Sequence, residues 1–189
     1  MQIFVFIPFN TSNPMQTFIH DIIIQNPIGN LYRKNHVLIL LKTSEGNLVL
    51  GQKQGFYPEG ISRMFGWGID EGEEPIRAAK REILEETQID LPMENFTPLC
   101  KVITQATTLE WDMTMNTYIY SALIDAEHIR PSDDVDGIST LDKESFKEMV
   151  STMYNLSGTY ETEKFCFDWG DWGKIYGYIH EKTYECFYK

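Results

Sequence analysis

Residues 66–89 read GWGIDEGEEPIRAAKREILEETQI, and the spacing of charge in that stretch organises the reading of the whole chain. Pro75 suits the first turn of a helix, where its missing N–H costs nothing, and Glu73 and Glu74 favour the positive end of the helix dipole. The pattern predicts a helix from Pro75 to about Thr87, with Pro92 just beyond it. Ile76, Ala79 and Ile83 recur at the i, i+3, i+7 spacing of a buried face. Glu82, Glu85 and Glu86 fall elsewhere, at i, i+3 and i+4, within about 100° of the helical wheel. Like charges so placed repel by roughly 0.2–0.5 kcal/mol per pair, so a compensating cation is expected.

The loop before the helix sharpens that expectation. Gly66, Gly68 and Gly72 let the backbone turn tightly and bring carbonyl or N–H groups close to a ligand. Their spacing is not that of a dinucleotide-binding loop, because the third glycine falls one position late. Carboxylates are hard oxygen donors and suit Mg²⁺ or Mn²⁺ rather than zinc, and Arg81 can hold one of them by a charge-assisted contact. A metal there polarises a phosphoryl oxygen and lowers the pKa of a bound water. The residues by themselves therefore point to metal-assisted chemistry on a phosphate substrate. The plainer alternative is a solvated face paired with Arg77, Lys80 or Arg81.

Composition agrees with a folded, soluble domain. Of 189 residues, 42% are hydrophobic and 23% charged, ordinary for a globular chain with one substantial core. The net charge of −12 is concentrated after residue 70, where 24 acidic groups face 11 basic ones. Such a surface repels nucleic acid and anionic lipid, and an anionic substrate is expected to arrive with a divalent metal. Cys100, Cys166 and Cys186 have no CxxC spacing, which argues against zinc or a disulfide framework and for reduced thiols in a cytosol. His20, His36, His128 and His180 show no metal-binding spacing and read as structural or exposed. The first basic residue is Arg33 and no apolar run reaches the length of a membrane span, so a cytoplasmic location is expected.

Along the chain, Ile3–Ile7 and Phe18–Ile24 read as short strands, and His36–Leu41 and Leu48–Leu50 flank Thr43–Asn47 as a hairpin. Leu99–Thr107 and Thr117–Ile124 are further strands, joined around residues 109–112. Asp133–Gly137 marks a turn, and Thr140–Tyr154 has helical spacing. The aromatic tail, residues 155–189, reads as short strands with glycine turns, a packed element or dimer interface in which Trp169 or Trp172 could also stack on a base. The order of elements implies a mixed sheet with helices against it.

Residues 67–89 resemble the Nudix box: glycine, five residues, glutamate, seven residues, then R-E-U-x-E-E-x-G-U, with U aliphatic. All five charged positions match, at Glu73, Arg81, Glu82, Glu85 and Glu86. The flank from Arg63 to Glu73 is similar to the family's R-L-P-G-G-G-I-x-x-G-E version, and weaker similarity of element order extends over about 37–150. Trp67 and Gln88 replace the two box glycines. The resemblance implies an α/β fold, the Nudix-type α/β/α sandwich with a mixed sheet. One Nudix domain would span 1–189, with extensions over about 1–35 and 155–189.

The implied activity is hydrolysis of a pyrophosphate bond in a nucleoside diphosphate linked to another moiety. Carried over by the resemblance, Glu82, Glu85 and Glu86, with the Gly66 carbonyl, hold Mg²⁺ (or Mn²⁺). Arg81 orients a carboxylate, and Glu73 steadies either Arg81 or the loop. The water is activated by one of these glutamates or by an acid on a later loop, for which Glu110, Asp112, Asp134 and Asp136 are candidates. Arg63, Phe56, Tyr57 and Trp67 are candidate substrate contacts, and Trp67 can narrow the site, stack on a base or mark lost activity. Position 88 lies where helices end in a left-handed residue, which costs a non-glycine roughly 1–2 kcal/mol. Many relatives are homodimers, so a dimer is a candidate state. The alternative reading is a non-catalytic Nudix-like domain that binds a nucleotide or a partner.

Overall fold

The structure is a computed structural model that describes residues 15–25, 32–108, 112–132, 134–162 and 166–189. The expected strand Ile3–Ile7 and the candidate acid Glu110 lie outside these. A six-stranded mixed sheet is built from β1 (Gln16–Ile23), β2 (Asn35–Lys42), β3 (Leu48–Gln52), β4 (Thr97–Thr107), β5 (Asp112–Leu123) and β6 (Gly137–Leu141), in the order β1-β4-β5-β2-β3-β6. β1 runs parallel to β4 and β2 parallel to β5, while the other pairs are antiparallel.

The alternation of side chains along β2 shows why the sheet is covered on both faces. Val37, Ile39 and Leu41 join Ala78, Ala79 and Ile83 of α1 (Pro75–Thr87) in one buried cluster. Leu38 and Leu40 join the opposite cluster, with Phe146 and Met149 of α2 (Lys143–Tyr154) and Trp172, Ile175 and Ile179 of α3 (Trp169–Phe187). The result is the expected three-layer α/β/α arrangement, with α1 on one face and α2 and α3 on the other.

Two local expectations are corrected. Thr140 and Leu141 end strand β6, and α2 begins only at Lys143, because the Asp142 side chain accepts from the Ser145 N–H at 2.8 Å and fixes the helix start there. The aromatic tail is not a run of short strands. A small hairpin, β7 (Thr159–Glu161) with β8 (Cys166–Asp168), is followed by the 19-residue helix α3. Trp169, Trp172, Tyr176, Ile179 and Thr183 recur at helical spacing and are buried, so the apolar stripe is that of a packed helix. Gly173 makes no turn. A Cβ there would lie 2.0 Å from the Met153 carbonyl oxygen, so the glycine lets α3 lie against the end of α2.

β2 and β3 pair only at Leu41–Val49 and Lys42–Leu48. Beyond that point the strands part and the loop preceding α1 enters the gap. The Ile39 N–H donates to the Phe65 carbonyl and the Val37 N–H to that of Trp67, while Arg63 and Gly51 exchange backbone bonds. Gly66 sits here at φ +106°, and a Cβ would meet the Val37 carbonyl oxygen at 2.4 Å, so no other residue fits. The split sheet thus threads residues 63–68 through its centre and presents them beside α1.

Candidate active site

On α1, Arg81 is the hub of the charged face. Its Nε and Nη2 donate to the two oxygens of Glu73 at 3.1 and 2.9 Å, and Nη2 also donates to the Gly68 carbonyl at 3.0 Å. Nη1 reaches Glu82 Oε1 at 2.7 Å and Glu85 Oε2 at 3.1 Å. Glu73 also accepts from the Asp70 N–H at 3.1 Å, so it fixes both Arg81 and the loop. The bonds from Arg81 hold the Glu73 carboxyl below its ordinary pKa. Glu82 behaves oppositely. Burial, aided by the nearby Glu86 and Glu85 charges, raises its pKa to about 7 against the pull of Arg81.

Glu86 is engaged on both oxygens. Oε2 accepts from the Gly66 N–H at 2.7 Å, and Oε1 accepts from Arg63 Nη2 at 2.6 Å in a pair with both side chains more than nine-tenths buried. Arg63 Nη1 donates at 2.5 Å to the Gly66 carbonyl. One guanidinium therefore bridges two of the groups that the family resemblance implies as metal ligands. Among the described residues, no three histidine, cysteine or acidic side chains converge closely enough to hold an ion as they stand.

Arg63 also lines a cleft of about 380 Å³. Its cationic lining includes Arg33 and Lys53, and its aromatic lining includes Phe56, Tyr57, Trp67, Tyr160, Trp172 and Tyr176. The Trp67 ring is flanked by the guanidinium groups of Arg63 and Arg33, whose centres are 5.5 and 5.9 Å from the ring centroid. Trp67 is not among the residues with positive φ, so the glycine usual at this position is not needed for the backbone here. Gln88 does adopt the left-handed conformation, φ 60° and ψ 22°, and its N–H caps the Leu84 carbonyl.

Of the candidate acids on later loops, Asp134 lies on the cleft, where it pairs with Lys53. The segment before it is anchored on the end of α1, where the N–H groups of Arg130 and Ser132 donate to the Thr87 and Glu86 carbonyls. Asp136 turns away and accepts from the Gln54 N–H on both oxygens, at 3.0 and 2.8 Å. Asp112, exposed at the start of β5, pairs across the ladder with Thr107 and takes no part in the cleft lining.

Arg33, Lys53, Tyr160 and Tyr176 escaped the sequence reading. Arg33 and Lys53 carried a signal, being two of only five basic residues before residue 71. Trp172 lines the cleft, while Trp169 is buried among Phe167, Tyr160 and Phe56 behind it. His180 of α3 ties that wall to the loop, as its Nδ1 donates to the Tyr176 carbonyl at 2.7 Å and its Nε2 accepts from the Met64 N–H at 3.4 Å. Burial lowers the His180 pKa to about 4, so the ring is neutral near pH 7.

The NUDIX domain model matches residues 32–156, about two-thirds of the chain, and the protein belongs to the Nudix family. Similar solved structures include a Nudix hydrolase of M. smegmatis, RenU, at 18% identity, with 62% of this chain and 76% of that chain covered and a TM-score of 0.46. The dihydroneopterin triphosphate pyrophosphohydrolase of E. coli is 16% identical over 61% of this chain and 85% of its own, with a TM-score of 0.47. The NUDIX domain of Shewanella oneidensis NrtR, complexed with ADP ribose, is 19% identical over 62% and 78%, with a TM-score of 0.49. No curated protein matches the sequence. Among the described residues, no helix is long and apolar enough to cross a membrane.

Proposed function

We propose that this protein is a divalent-metal-dependent hydrolase of the pyrophosphate bond in a nucleoside diphosphate linked to another group. The observation that carries the reading is shared geometry: the cationic, aromatic cleft and the carboxylates of α1 meet at one residue, Arg63. Trp67, Tyr57 and Trp172 offer aromatic surface to a base, and Lys53 and Arg63 offer charge to phosphates. Arg81, held by Glu73, orients Glu82 and Glu85. Asp134, which lines the cleft, is the later-loop acid we assign to accept a proton from an attacking water.

The donor set fits a hard divalent ion in chemistry. Glu82, Glu85 and Glu86 share one helix face, and Glu86 lies beside Gly66, whose carbonyl is a further oxygen donor. These residues would hold Mg²⁺, or Mn²⁺, which when bound supplies polarisation of a phosphoryl oxygen and acidification of a water. In-line attack at phosphorus gains mainly from such positioning and charge neutralisation.

The test is release of a nucleoside monophosphate from a panel of nucleoside diphosphate compounds with Mg²⁺, with Glu85→Gln as control. Glu85 is the exposed member of the trio, so its amide preserves the fold. Turnover that depends on Mg²⁺ and falls at least about 100-fold in the variant is expected. Turnover untouched by Glu85→Gln would remove the metal assignment. A panel with no turnover but measurable binding would support the non-catalytic reading, which the Arg63 bridge across Gly66 and Glu86 favours.

A further inference from the structure

The guanidinium of Arg63 sits where two proposed metal donors, the Gly66 carbonyl and Glu86 Oε1, converge. It is held there on several sides. Glu86 is fixed from behind by the Gly66 N–H, and Trp67 lies against the guanidinium. The side chain also forms part of the cleft wall, beside Tyr57 and Asp134, so it can face either the helix or a ligand in the cleft. A phosphate oxygen is a strong acceptor for arginine and competes directly with a carboxylate for it.

We propose that Arg63 is an exchangeable internal cation: it closes the metal-binding face in the nucleotide-free protein, and the diphosphate of the substrate draws it away from Glu86 and Gly66. Metal affinity and diphosphate affinity are then coupled through one side chain, and by linkage each ligand strengthens the other to the same degree. The coupling rests on the hydrolase reading above. The nucleotide-free protein binds a divalent ion poorly, because the ion must displace a guanidinium from two buried acceptors before it can take them.

The experiment titrates Mn²⁺ against nucleotide-free protein and follows the loss of the free-ion electron paramagnetic resonance signal, so it requires no turnover. Arg63→Gln is expected to bind Mn²⁺ at least about tenfold more tightly than the wild type, since it frees both acceptors. Arg63→Lys keeps the charge but cannot span Glu86 and Gly66 together, and it too is expected to tighten binding, by a smaller factor. It also serves if Arg63→Gln fails to fold, as judged by circular dichroism. Arg77→Gln removes an exposed cation of α1 that pairs with Glu74 and touches neither acceptor, and it controls for the simple loss of a cation; it should change Mn²⁺ affinity by less than about threefold. Equal affinity in the wild type and both Arg63 variants, no Mn²⁺ binding in any of them, or as large a gain from Arg77→Gln would each overturn the proposal. Failure of the hydrolase reading shows separately, as absent turnover with the Mn²⁺ result intact.

Discussion

Replacing Gly173 by alanine tests whether the wall of the cleft depends on the docking of α3 against α2. The added Cβ would lie 2.0 Å from the Met153 carbonyl oxygen and 3.1 Å from its carbonyl carbon, backbone atoms that cannot rotate aside. An ordinary carbon–oxygen approach is about 3.3–3.6 Å, so α3 has to retreat by roughly 1 Å. Overpacking of that kind costs about 1–3 kcal/mol, and a clash with backbone belongs at the upper end. Helix propensity works the other way, since alanine is favoured over glycine by about 0.8–1.0 kcal/mol. Gly177→Ala isolates the two terms: the same helix gains the same propensity, but its Cβ meets only the Tyr154 ring, at 3.3 Å, and that side chain is 38% exposed and can yield. The two variants should therefore differ by about 2–3 kcal/mol, or roughly 5–10 °C in melting temperature for a chain of this length. Thermal unfolding followed by circular dichroism reads that difference directly. Because Trp172 and Tyr176 flank residue 173 in the cleft wall, the displaced helix should also weaken nucleotide binding. Melting temperatures within about 1 °C of one another would refute the close approach of α3 to Met153.

Two further outcomes follow from backbone strain and from buried titrating groups. Gln88→Gly should stabilise the protein by about 1 kcal/mol, seen as a rise of roughly 2–4 °C in melting temperature, because Gln88 is held at φ 60°; a loss would mean that its side chain contributes more than its strain costs. His180, neutral when folded with its pKa lowered to about 4, takes up a proton on unfolding below pH 6.5, so its contribution is complete above that value and is lost as pH falls toward 4. Glu82, with its raised pKa, acts in the opposite direction, so the informative quantity is a difference. Urea unfolding at pH 7.5 and 5.5 should show His180→Gln losing about 1.4 kcal/mol less on acidification than the wild type, and identical losses would contradict the buried neutral ring.

The parts of this protein that were legible in sequence are those whose spacing is fixed within one element. Glu82, Glu85 and Glu86 lie on one helix, so their common face follows from 3.6 residues per turn, and Arg81 and Glu73 fall within one loop and turn of it. The apolar run of β2 likewise announced a strand, while its covering on both faces emerged only from the packing of α1 on one side and α2 and α3 on the other. What was not legible depends on chain segments meeting. Arg63 and Glu86 are 23 residues apart and pair only because β2 and β3 diverge and admit the loop between them. Asp134 and Asp136 look alike in sequence, and only the anchoring of their loop on α1 and β3 turns one to the cleft and the other to the Gln54 N–H. The tail was misread because tryptophan, tyrosine and phenylalanine are strong strand formers and its glycines looked like turns. Its i, i+3, i+4 stripe was nevertheless present from Trp169 to Thr183.

That tail bears on the chemistry although it lies outside the segment that defines the family, residues 32–156. α3 sets Tyr176 and Trp172 in the cleft wall beside Arg63 and fastens Met64, the next residue along the loop, through His180. Tyr176 stands beside Arg63 in that wall, and the Arg63–Glu86 pair is buried, where charges interact more strongly because the effective dielectric constant falls. The same burial makes each partner costly to leave alone: a buried pair deprived of one member loses about 3–5 kcal/mol. On the exchange proposed above, an anion for the guanidinium and a cation for the carboxylate each offset part of that loss, and a diphosphate accompanied by a divalent ion supplies both at once. The burial of the Arg63–Glu86 pair would then favour the complex over its separate parts.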